Sequence, residues 1–321
     1  MKPIKSFLYP PEWTVDSVLS RFLNPAEATI ITGFWQSGTT WLLESVVRAS
    51  DAKSVFEPLL PHVGDYNKAF LERYRPSELK GDVKPGGIIP YCSDFRQFPE
   101  LKTYLEQALT GALPGYFTRQ VRRSKKKGEQ TKSRMLRLMY RVQEACKTQI
   151  VVKMVRSHLI LPLIAEGINA NIIHLRRDPR AVVTSYYRQD WTEWLRSARL
   201  EDLLLNIDDG RESLFEEWES EIKKIDEMGY TARIAGYWGL TEKKVIDLHS
   251  VVQIQYENMV LNKHEYLNSK CSQTGLTFRK GDLEKESATS NRSSDMPIRD
   301  RLRSWERELT FEQVKQIEKV M

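Results

Sequence analysis

Four short apolar runs constrain the fold of this chain more than any other feature: 28–32 (ATIIT), 150–155 (IVVKMV), 171–175 (NIIHL) and 251–256 (VVQIQY). They are too short for buried helices and show no clean in–out alternation, as expected of strands covered on both faces in a parallel sheet. Stretches of helical character, 40–49 and 181–189, follow the first and third runs. Near the end of the chain, 310–320 repeats apolar residues at Phe311, Val314 and Ile317 and opens with a Thr-x-x-Gln capping pattern. Strands alternating with helices predict an α/β fold, with a mainly parallel central sheet flanked by helices.

With 321 residues, 40% hydrophobic and 29% charged, the chain can bury one large core. It contains no internal repeat and no low-complexity linker, so 1–321 reads as one domain. An insertion at about 81–148 interrupts the alternation, first with turn residues and then with a basic run from Arg119 through Lys125, Lys126 and Lys127 to Arg141. Such a run is either a solvated face or a cap that attracts an anionic ligand. The net charge of +6 and pI near 9.0 suit nucleic acid, an acidic membrane surface or a phosphorylated cofactor equally. No recognisable nucleic-acid reading motif accompanies the charge. No apolar stretch approaches the roughly 18–20 residues of a transmembrane helix, and the first residues lack the apolar region of a secretory signal. Cys92, Cys146 and Cys271 are widely spaced and odd in number, which fits neither a disulfide framework nor a zinc site. The expected location is cytoplasmic.

The segment Gly33-Phe-Trp-Gln-Ser-Gly-Thr-Thr-Trp41 lies between a predicted strand and a predicted helix. A glycine-containing turn there aims backbone N–H groups at one point beside the positive end of the helix dipole. The hydroxyls of Ser37, Thr39 and Thr40 add donors, making a cradle for one phosphate. Gly33 and Gly38 have the spacing of the nucleoside-triphosphatase loop, but Thr39 stands where that loop has lysine. Without that lysine, hydrolysis of ATP or GTP is disfavoured.

A second element, 172–187, runs from a strand into a helix at Pro179, a residue suited to a first helical turn. Arg177 at the strand tip and Ser185 eight residues on can approach one anion, and arginine binds phosphate through two charge-assisted bonds. The alternative is an ion pair between Arg177 and Asp178 or another acid.

Together the two segments resemble the cofactor signatures of the sulfotransferases that use 3′-phosphoadenosine-5′-phosphosulfate (PAPS). Gln36-Ser-Gly-Thr-Thr-Trp41 is similar to the family's 5′-phosphosulfate loop, and Arg177 to Ser185 to its 3′-phosphate site. Val55-Phe-Glu-Pro-Leu-Leu-Pro-His-Val63, Val151-Val-Lys-Met-Val-Arg156 and Arg177-Asp-Pro-Arg-Ala-Val-Val resemble the carbohydrate sulfotransferase branch. Gln255-Tyr-Glu-Asn-Met-Val resembles the family's Tyr-Glu strand end. The likeness implies that Ser37, Gly38, Thr39 and Thr40 hold the 5′-phosphate and that Trp41 lies against the adenine. It implies that Arg177 and Ser185 bind the 3′-phosphate, with Tyr256 as a further nucleotide contact. The likeness further implies that Arg292 closes over the nucleotide, with Arg279-Lys-Gly281 as a lower-ranked alternative. The product would be adenosine 3′,5′-bisphosphate (PAP).

Sulfuryl transfer needs a base for the acceptor and positive partners for the sulfuryl and leaving oxygens. It requires no metal, and the sequence offers no evident ligand cluster. Small-molecule members place a histidine two residues after a strand lysine; Lys153 fits that lysine, but Val155 fills the histidine slot. The resemblance to the carbohydrate branch, which places a carboxylate in the Phe-Glu-Pro segment, then makes Glu57 the first candidate base, with His62 and His158 as alternates. Gln36 stands where the family carries lysine or arginine, so Lys153, backed by Arg156, is expected to supply the missing charge. The acceptor is expected to be a glycan, a glycolipid or a small natural product sulfated on oxygen or nitrogen. A nucleotide kinase and a non-catalytic PAPS- or PAP-binding relative are the competing readings.

Overall fold

The computed structural model describes residues 18–60, 87–113, 146–189, 194–276, 278, 280–283 and 297–321. Five strands, β1 Thr29–Thr32, β2 Lys53–Phe56, β3 Ile150–Lys153, β4 Asn171–Arg176 and β5 Val251–Gln255, form one sheet in the order β2-β3-β1-β4-β5. Every pairing is parallel, and β1 sits at the centre, with Ile30 opposite Val152 on one side and Ile172 on the other. All four apolar runs are strands. The fifth strand, β2, reads Lys-Ser-Val-Phe and lies at the sheet edge, where polar residues are tolerated and no apolar run marks it.

Both sheet faces are covered, which explains why the strands do not alternate. Ile30, Val152 and Ile172 enter one core, and Ile31, Val151 and Ile173 enter the other. Helix α1 (Thr39–Ser50) packs Leu42, Leu43 and Val46 into the second core. The first core receives α2 (Pro99–Leu109), α3 (Leu161–Gly167), α4 (Pro179–Tyr187) and the long α5 (Tyr230–Ile246). Helix α6 (Tyr256–Leu261) follows β5 directly, and α7 (Lys263–Cys271) adds Leu267 and Cys271 beside α1. The last helix, α8 (Phe311–Lys319), carries the expected capping box, with the Thr310 hydroxyl accepting from the Gln313 backbone N–H. Its Ile317 and Val314 reach the first core, but Phe311 is 83% exposed, so the apolar stripe is narrower than the spacing suggests.

Chain order sets the site. From β1 the chain crosses to β2 and returns through β3, then passes to the other side of β1 to form β4 and β5. The direction of winding therefore reverses at β1, and ligands of open α/β sheets gather at the carboxyl ends of strands at such a reversal. Among the described residues, no helix is long and apolar enough to cross a membrane. The three cysteines are free thiols, two of them buried. The basic run from Arg119 to Arg141 lies outside the described residues.

Candidate functional site

The chain leaves β1 at Thr32 and turns through Gly33–Gly38 into α1. Two glycines are required by close approach. A Cβ on Gly33, at φ +151°, would collide with the Leu175 carbonyl oxygen of β4. A Cβ on Gly38, at φ +89°, would stand 2.5 Å from the Tyr256 ring. Gln36 is also left-handed, at φ 66°, a strained conformation of the kind found at functional loops. The first main-chain bond of α1 runs from Leu42 N–H to the Gly38 carbonyl, leaving the N–H groups of the first turn for an outside acceptor. The Ser37 hydroxyl is fully buried and has no hydrogen-bond partner. Thr39 is buried, while Thr40 and Trp41 are half-buried. The Lys263 ammonium stands 5.3 Å above the Trp41 ring.

Arg177 follows β4 directly. Its Nη1 donates to the Gln36 carbonyl at 2.6 Å and reaches Ser185 Oγ at 3.4 Å, while its guanidinium lies 4.8 Å over the Tyr256 ring. The alternative partner, Asp178, instead pairs with Arg180 at 2.8 Å and caps α4 by accepting from the Arg180 backbone N–H. The Arg177 Nε is buried with no acceptor. Tyr256 therefore touches both the loop and the arginine. Glu257, which sequence reasoning left unassigned beside Tyr256, accepts from the Asp178 backbone N–H at 3.0 Å and from the Gln255 amide at 2.6 Å. It ties the end of β4 to the end of β5.

A second cluster stands on the other side of β1. Glu57, just past β2 at φ 51°, is 3% exposed. Its Oε1 accepts from Lys153 Nζ at 2.6 Å, its Oε2 accepts from the Val155 N–H at 3.2 Å, and Arg156 Nη1 lies 4.0 Å away. Lys153 closes β3, opposite Ile31, while the next residue, Met154, donates to the Ile31 carbonyl. The Glu57–Lys153 pair thus sits beside the start of the phosphate loop. The Arg156 guanidinium also rests 5.3 Å from the Trp35 ring of that loop.

His158 does not join this cluster. It is 0% exposed, packed edge-on to Phe34 and His174, with Nε2 3.5 Å from Glu242 Oε1. Burial pushes its pKa down, against the pull of Glu242. An imidazole enclosed on all sides has no open face toward an acceptor hydroxyl. His174 Nε2 lies 2.9 Å from the other oxygen of Glu242. Burial alone would raise the Glu242 carboxyl, but His174 and then His158 outweigh it and hold it at about 2. No spacing along the chain signals this triad, because its members come from three separate elements. His62, Arg279 and Arg292 lie outside the described residues.

Several solved structures are similar to the chain. The sulfotransferase domain from the Synechococcus PCC 7002 olefin synthase is 15% identical, covering 92% of this chain and 95% of its own, at a TM-score of 0.39. The sulfotransferase domain from the curacin biosynthetic pathway is 15% identical, covering 91% and 95%, at 0.42. Mouse sulfotransferase SULT7A1, complexed with PAP, is 13% identical, covering 95% and 86%, at 0.41. No curated protein matches the sequence. The sulfotransferase domain family matches residues 26–321, nearly the whole chain and both clusters described above. The chain belongs to the sulfotransferase domain family.

Proposed function

We propose that the chain transfers a sulfuryl group from PAPS to a hydroxyl or amine of a carbohydrate, glycolipid or small natural-product acceptor, releasing PAP. The observation that carries this reading is the contact between the two anion-binding segments: Arg177, which also reaches Ser185, donates to the Gln36 carbonyl of the phosphate loop. A nucleotide phosphorylated at both ends needs two such groups on one cleft. The residues present fit it. A buried, unpartnered Ser37 hydroxyl and a buried, unpartnered Arg177 Nε are costly in an empty site and are satisfied by phosphate oxygens. Ser37, Gly38, Thr39 and Thr40 would hold the 5′ end, Arg177 and Ser185 the 3′-phosphate, and Trp41 and Tyr256 the adenosine between them.

When bound, PAPS supplies an activated sulfuryl group. The chain supplies the rest. Glu57 takes the proton of the acceptor nucleophile, and in doing so loses the charge that holds Lys153. The lysine ammonium is then free to face the sulfuryl and leaving oxygens as negative charge develops there. Coupling the two events in one ion pair offsets the neutral Gln36 in the position usually given to a cation. The acceptor class rests on the Phe56-Glu57-Pro58 segment, whose carboxylate resembles that of the carbohydrate branch. A cytoplasmic location belongs to the same proposal, in keeping with the free thiols of Cys92, Cys146 and Cys271.

Two observations favour a second reading, a protein that binds PAPS or PAP without turnover: Gln36 provides no charge, and each Glu57 oxygen already accepts a hydrogen bond. Two measurements decide. Thermal stabilisation by PAP but not by ATP with magnesium supports the nucleotide assignment, and the reverse supports a kinase. Transfer of label from ³⁵S-PAPS to a panel of sugar, lipid and amine acceptors then separates enzyme from binder.

A further inference from the structure

Behind the phosphate loop, three buried side chains converge without forming a complete hydrogen-bonded set. His158 lies just after β3, His174 within β4 and Glu242 on α5, and one ligand atom from each lies within 4.8 Å of the others. Both His158 nitrogens, His174 Nδ1 and Glu242 Oε1 are buried without a hydrogen-bond partner. All three residues are at most 3% exposed, so bulk solvent does not reach them. Leaving this many polar atoms unpaired in a core is costly.

We propose that His158, His174 and Glu242 form a binding site for a divalent first-row transition metal, zinc by preference. Two imidazoles and a carboxylate are a zinc donor set, and none is a thiolate that would favour softer ions. The observed separations of 2.9 and 3.5 Å from the two imidazoles to Glu242 bracket the roughly 3.3 Å expected between neighbouring ligands of a tetrahedral ion. The two histidines must close on each other, and the ion itself supplies the attraction. A strand, a strand-end turn and a helix hold the donors, so the ion fixes α5 against the sheet from which the phosphate loop springs. Its role is structural: one enclosed water completes the tetrahedron with the three protein donors, and a fully buried site leaves no position open to substrate. Arg176 is the competing cation: its Nε stands 3.8 Å from Glu242 Oε2, on a side chain that is 36% exposed and can swing outward. The inference is independent of the sulfuryl-transfer reading.

The test uses the purified full chain, stripped with chelator and dialysed against zinc or cobalt chloride. The expected results are about one zinc per chain by elemental analysis and a visible cobalt absorption of the tetrahedral type. His174→Ala should lose both, and Arg176→Gln should bind zinc several-fold more tightly. Metal below a tenth of an equivalent with no cobalt band overturns the proposal, as does full metal retention by a folded His174→Ala. If that variant does not fold, zinc-edge X-ray absorption of the wild type decides. A shell with two imidazoles and no sulfur is expected, and any other shell places the ion elsewhere and overturns the assignment.

Discussion

Arg177 donates from Nη1 to the main-chain carbonyl of Gln36 at 2.6 Å, which joins the tip of β4 to the loop that follows β1. One guanidinium therefore shapes the loop with one nitrogen while another, Nε, is left for a ligand. Removing it costs PAP affinity more than it costs the fold. Arg177→Ala should weaken PAP binding about ten- to a hundredfold, the equivalent of one charge-assisted hydrogen bond of roughly 1.5–3 kcal/mol. Arg177→Lys should recover little of it, since an ammonium cannot fork between Gln36, Ser185 and phosphate. Isothermal titration with PAP measures this, and affinities within twofold of wild type would place the 3′-phosphate elsewhere.

Glu57 and Lys153 form a buried pair, so a substitution at either acts on stability as well as chemistry. Glu57→Gln should bind PAP within a few-fold of wild type and lower kcat about a hundredfold or more. It should also lower Tm, because it leaves the Lys153 ammonium buried without its counter-charge, a loss that reaches about 3–5 kcal/mol when one partner of a buried pair is removed. Adding Lys153→Met should recover much of the lost Tm and none of the turnover. Near-normal kcat in Glu57→Gln alone removes Glu57 from the mechanism.

What the sequence revealed follows from how local each feature is. The three inner strands β1, β3 and β4 are legible because burial on both faces makes them largely apolar, and the edge strand β5 because Val251, Val252 and Ile254 still form an apolar run, whereas the other edge strand, Lys53–Phe56, opens on Lys-Ser and is too short to stand out. The phosphate loop and Arg177–Ser185 are legible because each is a contiguous segment whose spacing is fixed by a strand–turn–helix junction. The clasp by Glu257 and the buried triad of His158, His174 and Glu242 are not. Their partners are brought together only by the β2-β3-β1-β4-β5 order and by α5 crossing the sheet, and no spacing along the chain encodes that. His158 could be named as a candidate from residue type, but only packing against Phe34 shows that it faces inward.

The fit of Gly38 beneath Tyr256 gives a prediction about stability and binding together. Gly38→Ala places a methyl 2.5 Å from the Tyr256 ring at a φ that L-residues adopt at a cost of about 1–2 kcal/mol. The variant should be destabilised and lose PAP binding. Tyr256→Ala in the same background should restore part of the stability, because it removes the collision and leaves only the backbone cost. A double-mutant cycle by urea denaturation reads the coupling. Strict additivity would mean that the ring and the loop do not meet in solution.

Gln36 is the sharpest departure from the family pattern, and it is testable by supplying the charge it lacks. The position is already left-handed at φ 66°, so Gln36→Lys adds no backbone strain beyond what glutamine bears. Lysine there should raise kcat several-fold. The more decisive experiment uses Lys153→Met, which should lose about a hundredfold in kcat if Lys153 stabilises the developing charge. It leaves Glu57 with Arg156 at 4.0 Å as its remaining cation, so Tm must be followed in parallel. Gln36→Lys in the Lys153→Met background should return at least tenfold of the lost turnover without restoring Tm, because it replaces the charge at the reaction centre and not the partner of Glu57. Turnover unaffected by Lys153→Met assigns the charge to another residue, and Arg156→Met is then the variant that should collapse kcat.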